Sequence, residues 1–317
     1  MSRVLAILSL VNIFMSLAVS TDINDNDPTC TRKNDDIVFR VVNGIPAKIG
    51  EIPYQVSLKT PIRKNNYMSF CGGSVIAENK VMSAAHCVTT DGNTCDRLLR
   101  KYKMKSLMKL YVVAGTLRNR AKYQDDKDGT EQWRRMKSAH VPRGYWFPKN
   151  DICIIFTVAP FVFNQYVKPL PLASRDMEYG SMECLASGWG KIGKKDKASD
   201  ILLYAKLRLI PSSACSRIHR QRMGKFICTD SYVTDVLQGD SGGPLVCRGT
   251  GDGNDINNEG VIVGVVSGAR RQRWSKTYDS FFTRVSSHRR FMSGNEATIT
   301  TSVLYIVLLS QIIPVEL

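Results

Sequence analysis

Between residues 54 and 292 the chain is a succession of short apolar or alternating runs set apart by turn residues. They read YQVSL from Tyr54, SFCGGSVIA from Ser69, KLYVVAG from Lys109, DICIIFTV from Asp151, ECLASGWG from Glu183, ILLYAKLRLI from Ile201, GPLVC from Gly243 and GVIVGVVSG from Gly260. Alternation at period two buries one face of a strand, and helical periodicity is almost missing, so the pattern predicts an antiparallel all-β barrel or sandwich. Helix is expected only in short pieces, one of them near RVSSHRRFM at residues 284–292. Two charged inserts, Val88 to Lys109 and Arg118 to Lys137, interrupt the strands and read as solvated surface loops.

The ends of the chain follow a different pattern. MSRVLAILSLVNIFMSLAVS has a short basic start, an apolar stretch and small residues at Ala18 and Ser20, so residues 1–20 read as a secretory signal peptide. Residues 21–40 are polar and rich in Asp and Asn, an exposed linker that ends at Arg40 before VVNG. At the other end SGN (Ser293 to Asn295), a polar spacer and the apolar run Val303 to Leu317 have the layout of a glycolipid-anchor signal. As a spanning helix that run is short and broken by Pro314 and Glu316, so contact with a membrane is expected only through such an anchor.

With 317 residues and 43% hydrophobic content the chain can bury a substantial core, as one large domain or two fused halves. Nine cysteines in a secreted chain imply several disulfides and at least one odd thiol. There is no CxxC and the four histidines lie far apart, so no metal site and no cofactor are expected. The net charge of +16 is spread over RKYKMK, KIGKKDK, RIHRQRMGK and ARRQRWSK. A field of this sign favours an acidic surface such as a sulfated polysaccharide, whereas nucleic-acid binding has neither a motif nor the right compartment.

Acyl transfer by a serine needs a general base, a buried carboxylate to hold it and backbone donors where the oxyanion develops. MSAAHC sets His86 after an apolar strand, NDICII sets Asp151 at the head of a buried one, and GDSGGP sets Ser241 in a glycine-dense turn. His, Asp, Ser is one of the chain orders in which such a triad occurs, and the glycines let the N–H groups of Gly239 and Ser241 converge on one point.

CGGSVIAENKVMSAAHC, DICII, GWG and QGDSGGPLVC, in this order, resemble the trypsin-like serine proteases of the chymotrypsin family, over roughly Val41 to Met292. The resemblance implies a double six-stranded antiparallel β-barrel with a short C-terminal helix, in a protease domain spanning 41–292 and followed by the tail 293–317. It also implies a secreted zymogen-type endopeptidase, with Ser241 as nucleophile, His86 as base and then acid, and Asp151 orienting the imidazole. Cleavage after Arg40 would free Val41, whose ammonium would pair with Asp240. Disulfides Cys71–Cys87, Cys184–Cys247 and Cys215–Cys228 are implied in the same way. Cys153 is then a buried free thiol, and we expect Cys30 to bond Cys95 in the insert.

For the substrate pocket the resemblance assigns Asp235 to the base and Ser267 and Ser280 to the walls, which favours cleavage after Arg or Lys. The chain departs from the family pattern at several of these places. Leu237 stands where a cysteine is usual, with no cysteine in SGARRQRWSKTYDS to receive its bond, and the tryptophan expected after Ser267 is replaced by Gly268 or deleted. Ser280 and Phe281 stand where GV is usual. Thr116 takes the place of the first acidic calcium ligand, leaving Glu131 alone in the loop, so no calcium is expected. The expected partners are a peptide or protein substrate, an activating protease, serine protease inhibitors and a polyanionic surface. The alternative reading is a secreted protease-like binding or regulatory protein with little turnover.

Overall fold

A computed structural model describes residues 44–90, 103–192, 197–230, 239–271, 278–294 and 298–302. The alternation seen in the sequence becomes strands whose apolar residues point inward; in QVSLKTPIR, for example, Val56 and Leu58 are fully buried. Numbered in chain order, the first half contributes β1 (Ile45–Pro46), β2 (Gln55–Arg63), β3 (Asn66–Ala77), β4 (Lys80–Ser83), β5 (Tyr111–Ala114), β6 (Arg120–Lys122), β7 (Gln132–Pro142) and β8 (Cys153–Thr157). The second half contributes β9 (Glu183–Gly188), β10 (Leu203–Ile210), β11 (Phe226–Thr229), β12 (Pro244–Cys247), β13 (Val261–Arg271), β14 (Tyr278–Arg284) and β15 (Thr298–Ser302). Two ribbons of two-residue strands, Thr89–Thr90 with Lys103–Met104 and Lys191–Ile192 with Lys197–Ala198, are left unnumbered.

Each half closes on itself. The ring β8–β4–β3–β2–β5–β7 returns to β8 through pairs such as Ile154↔His140. The ring β10–β9–β12–β13–β14–β11 returns to β10 through Leu209↔Thr229 and Ile210↔Cys228. These are the two closed six-stranded antiparallel barrels that the resemblance implied, and closure leaves no ring strand with an unpaired edge along its paired length. Among the described residues α-helix is confined to α1 (Ala85–Val88), α2 (Ser212–His219) and α3 (Arg289–Met292), the last being the expected C-terminal helix.

Two stretches depart from the expectation: the insert 118–137, read as a solvated loop, contains β6 and the start of β7 and buries Asn119, Ala121, Thr130 and Met136, and the C-terminal spacer is the other. Residues 298–302, within what reads as a polar spacer, form β15, antiparallel to β7 from Thr298↔Pro142 to Ser302↔Ser138. The eleven residues of β7 outrun the four of β5, which pairs only with Gln132 to Arg135. The β-branched run TITT suits the length of edge that remains.

The three implied disulfides, Cys71–Cys87, Cys184–Cys247 and Cys215–Cys228, are formed. Cys184–Cys247 joins directly opposed residues of β9 and β12. Cys153 is buried and free, its Sγ 3.3 Å from the Ala84 carbonyl. Burial first, and then the Asp151 charge, push its thiol well above the ordinary cysteine range. Cys30 and Cys95 lie outside the described residues, as do the signal peptide, the linker and the apolar end.

A lysine is buried on the first barrel, on the face of β2 opposite to Val56 and Leu58. Lys59 on β2 is fully buried, and its Nζ donates to the carbonyls of Arg118 and Asn119, both at 2.7 Å, with Ser69 Oγ at 3.4 Å. Its partner across the β2–β5 ladder is Tyr111, which packs with Tyr67, Tyr123 and Trp133 at ring separations of 5.0–5.6 Å. The same loop holds Glu131, whose Oε1 accepts from Thr116 Oγ1 at 2.6 Å and Arg118 Nε at 3.0 Å. Its Oε2 accepts from Trp133 Nε1 at 2.9 Å. Side chains of this chain therefore supply the cations and donors that a loop carboxylate would otherwise seek from a metal.

Burial pulls Lys59 down from the ordinary 10.5 to about 7, against the pull of Glu131 in the opposite direction. Between these values the unfolded chain holds a proton that the folded chain has released. The Lys59 contribution to unfolding free energy therefore increases as pH rises through this interval, by up to about 1.4 kcal/mol per pH unit. We expect the stability of the wild type relative to Lys59→Met to increase from pH 7 to pH 10 in denaturant titrations. A difference that stays flat across that range would show that Lys59 does not change its protonation on folding.

Candidate active site

The first barrel presents His86 at its rim. β4 ends at Ser83, and one helical turn, α1, carries His86 out of the barrel wall while Cys87 ties that turn back to Cys71 on β3. Asp151 stands just before β8, after Asn150 in the left-handed region at φ 56°. Its carboxylate is fully buried. Oδ2 lies 2.8 Å from His86 Nδ1 and accepts from Ser267 Oγ at 2.6 Å, while Oδ1 accepts from the His86 backbone N–H at 2.9 Å.

A buried carboxylate is tolerable when donors of this kind replace its water. Because an ionised carboxylate only accepts, the Asp151 contact makes Nδ1 the protonated nitrogen of a neutral His86 and leaves Nε2 as the acceptor. The Phe147 ring meets the imidazole edge-on at 5.6 Å and 86°. Two strands of the second barrel complete the cradle. Ser267 sits at the bulge of β13 between Val266↔Phe282 and Gly268↔Phe281, and Thr283 Oγ1 of β14 donates to the Asp151 carbonyl at 2.8 Å.

Ser241 sits in a turn drawn tightly together. Its carbonyl accepts from Gly72 N at 2.8 Å, Gly242 N donates to Val266 O at 2.9 Å and Gly243 N donates to Asp240 O at 2.8 Å. Gly72 follows Cys71, and the disulfide partner Cys87 follows His86, so a short covalent bracket brings the serine turn to the histidine. Gly242 has φ +81°, and a Cβ there would lie 2.2 Å from Ser83 Oγ and 2.6 Å from the Gly72 carbonyl. Asp240 is fully buried, its Oδ1 accepting from Gly190 N at 2.9 Å. A Cβ at Gly190 would come within 2.2 Å of its other oxygen, Oδ2. The glycines of GWG and GDSGG thus leave the room that a buried carboxylate and a folded-back turn require.

His86, Asp151 and Ser267 are joined in one hydrogen-bonded set, with Ser241 and Gly239 on the adjoining turn. The hydroxyl of Ser267, expected on the pocket wall, is bonded to Asp151. Ser280 is fully buried and faces Ala269, also fully buried, across the β13–β14 ladder. The ladder runs on through Gly268↔Phe281, so a glycine directly follows the Ser267 bulge. Asp235, Leu237, Arg40 and Val41 lie outside the described residues. Sequence reasoning passed over Phe147, Ala269 and Thr283. Counting two residues on from Ser267 along its strand finds Ala269, whereas Phe147 and Thr283 are joined to the site only by folding. Among the described residues two Cys/His groups lie close enough to hold a metal, Cys71, His86 and Cys87, and Cys215, His219 and Cys228, but their sulfurs are already paired as disulfides.

Comparison with known proteins agrees with this architecture. The family model described as Trypsin matches residues 41–292. Trypsin I-P38 of Gallus gallus is 31% identical over 246 residues, covering 74% of this chain and 82% of that protein. Coagulation factor IX of Cavia porcellus is 28% identical over 273 residues, 82% of this chain and 83% of that one. The venom peptide isomerase heavy chain of Agelenopsis aperta is 26% identical over 266 residues, 80% of this chain and 99% of that one. A match over most of the chain, two closed six-stranded barrels and a glycine-bound serine turn lead to one conclusion: the chain belongs to the trypsin family.

Proposed function

We propose that this protein is a secreted serine endopeptidase made as a zymogen. Ser241 Oγ attacks the scissile carbonyl, His86 Nε2 takes the hydroxyl proton and later passes it to the leaving amine, and Asp151 holds and stabilises the imidazolium. The N–H groups of Gly239 and Ser241 receive the oxyanion. The observation that carries this reading is the fully buried Asp151, which receives both the ring and the backbone N–H of His86 together with the Ser267 hydroxyl. Such an arrangement costs desolvation and is of use where a neighbouring cation forms transiently.

Activation follows from the same chemistry. Cleavage after Arg40 frees the Val41 ammonium to pair with Asp240, a buried carboxylate beside the N–H of Gly190. Asp235 at the base of the substrate pocket selects Arg or Lys, in a slot narrowed by the facing side chains of Ala269 and Ser280. Secretion is supported by the apolar leader and by three disulfides among the described residues. The partners that follow are protein substrates, an activating protease and serine protease inhibitors, with polyanions attracted by the +16 net charge and the tail 293–317 serving as an anchor signal.

After cleavage at Arg40, an active-site serine probe is expected to label Ser241 in the wild type and not in Ser241→Ala. Absence of wild-type labelling would exclude the enzyme and leave the binding-protein reading. Asp151→Asn should lower kcat by a factor on the order of 10^4, because the wrong imidazole tautomer is then favoured. Ser267→Ala, which removes a hydrogen bond to a charged group worth about 1.5 kcal/mol, should lower kcat about tenfold.

A reporter panel with Arg, Lys or Phe at the cleaved residue tests the pocket separately. Arg and Lys reporters should be cut faster than Phe, and Ser280→Gly should widen that margin. A Phe preference in both proteins would remove Asp235 from the selectivity argument.

A further inference from the structure

We propose that the apolar turn 158–163 is a lipid-contact surface, on which the first barrel rests against an anionic membrane. This goes beyond a C-terminal anchor, since it assigns lipid contact to the folded domain itself, and it stands apart from the endopeptidase reading. VAPFVF follows β8 directly and contains no polar side chain. Connections at a protein surface are ordinarily polar. Here Val158, Ala159, Pro160, Val162 and Phe163 are all exposed, Val162 to 65% and Val158 to 48%. Phe161 alone turns inward, with the Arg134 guanidinium 5.5 Å from its ring centroid. Contiguous exposed apolar surface marks a site of interaction with another molecule or a membrane.

The turn is fixed in this outward presentation. Val158 N donates to the Arg135 carbonyl at 3.0 Å, and Arg134 Nε donates to the Pro160 carbonyl at 2.7 Å. Gln132 closes both backbone groups of Val162: its Oε1 accepts from the N–H at 2.9 Å and its Nε2 donates to the carbonyl at 2.6 Å. Thr157 Oγ1 donates to the Ala159 carbonyl at 2.8 Å, and Phe161 N donates to the Glu78 carbonyl at 2.6 Å. Backbone groups carried toward hydrocarbon must find their partners within the protein, and these do.

Cations flank the turn. Lys80 is exposed, its Nζ 5.7 Å from the centroid of the Phe156 ring, and Lys137 is exposed beside Ser138, the ladder partner of Phe156. Arg134 donates to neutral acceptors, the carbonyls of Pro160 and Trp133 and Oε1 of Gln132. Of the nearby acids, Glu78 is exposed, and Asp126 accepts from the backbone N–H groups of Asp128 and Glu131. Lysines at the edge of an apolar surface are drawn to anionic headgroups, whereas a second copy of a chain of net charge +16 is repelled. The C-terminal segment leads to the same place. Ser302 lies opposite Ser138, and Ser138 lies opposite Phe156, so β15 ends two strand spacings, about 10 Å, from the end of β8. The apolar run Val303 to Leu317 begins at the next residue.

Full-length Ser241→Ala protein, in which self-digestion is removed, is titrated with vesicles of phosphatidylcholine alone or with about one third phosphatidylserine, and binding is read by co-sedimentation. Anionic vesicles should be bound on the order of tenfold more tightly than neutral ones, with the margin shrinking as salt is raised. Val158→Asp combined with Val162→Asp should weaken binding to both kinds about tenfold, whereas Lys80→Gln combined with Lys137→Gln should weaken binding about tenfold on anionic vesicles alone. The lysine pair alters only exposed charge, so it keeps the test decisive if the aspartates disturb the turn. Ile256→Asp, at an apolar side chain 67% exposed in the loop after β12, should change neither. Equal binding by the parent and both double variants overturns the proposal and leaves the C-terminal run as the membrane contact. An equal loss in Ile256→Asp, or no vesicle binding by the parent, overturns it as well. None of these outcomes depends on whether Ser241 is reactive.

Discussion

A carboxylate removed wholly from water must be surrounded by donors, and the position of Asp151 makes that requirement act on both barrels at once. The first barrel supplies two donors, the ring and the backbone N–H of His86, through α1. The second supplies the Ser267 hydroxyl from β13, and Thr283 from β14 donates to the backbone carbonyl of the same residue. Separating the halves would leave a buried charge short of partners, a cost of several kcal/mol. Docking of the barrels and assembly of the site are for this reason one event. The glycines serve the same end, since the serine turn can reach across only where Gly72, Gly190 and Gly242 carry no side chain.

The stretch 117–119 makes a second seam between the halves. The Leu117 carbonyl accepts from Leu202 N at 2.8 Å and from Trp189 Nε1 at 2.8 Å, and Asn119 Nδ2 donates to the Ser199 carbonyl at 2.7 Å. Lys59 on β2 holds the carbonyls of Arg118 and Asn119. A polar loop with this many obligations is positioned by its backbone groups, all of which must find partners when buried.

The elements most legible in the sequence were those whose physics is local. Alternating runs such as YQVSL and LYAKLRLI became strands because period two is a property of each run by itself. Barrel closure was not local, and came only with the resemblance carried by the ordered motifs. The pairing of His86 with Asp151 was legible because each sits in a distinctive setting of small and apolar neighbours. The bond of Ser267 to Asp151 was not, because it joins residues 116 positions apart. Lys59 escaped notice since a lysine closing an alternating run reads as pointing to water. The tail strand escaped because TITTS is polar by composition and β-prone only in shape. Where the inserts were taken as plain surface, composition could not show that Asn119 and Met136 are buried or that the Lys105 ammonium donates to the Cys87 carbonyl.

The tail strand gives the molecule a conditional boundary. As long as β15 is in place, the outer stretch of β7 shows its backbone to the chain's own C-terminal segment. Detachment of residues beyond 294, whether by a protease or by exchange for a lipid, would uncover five consecutive positions of ladder from Ser138 to Pro142. A bare edge of that length is a template for pairing between molecules. Trimming the C-terminus would thus change how copies of the protein meet one another, and would leave the paired strands of both rings in place.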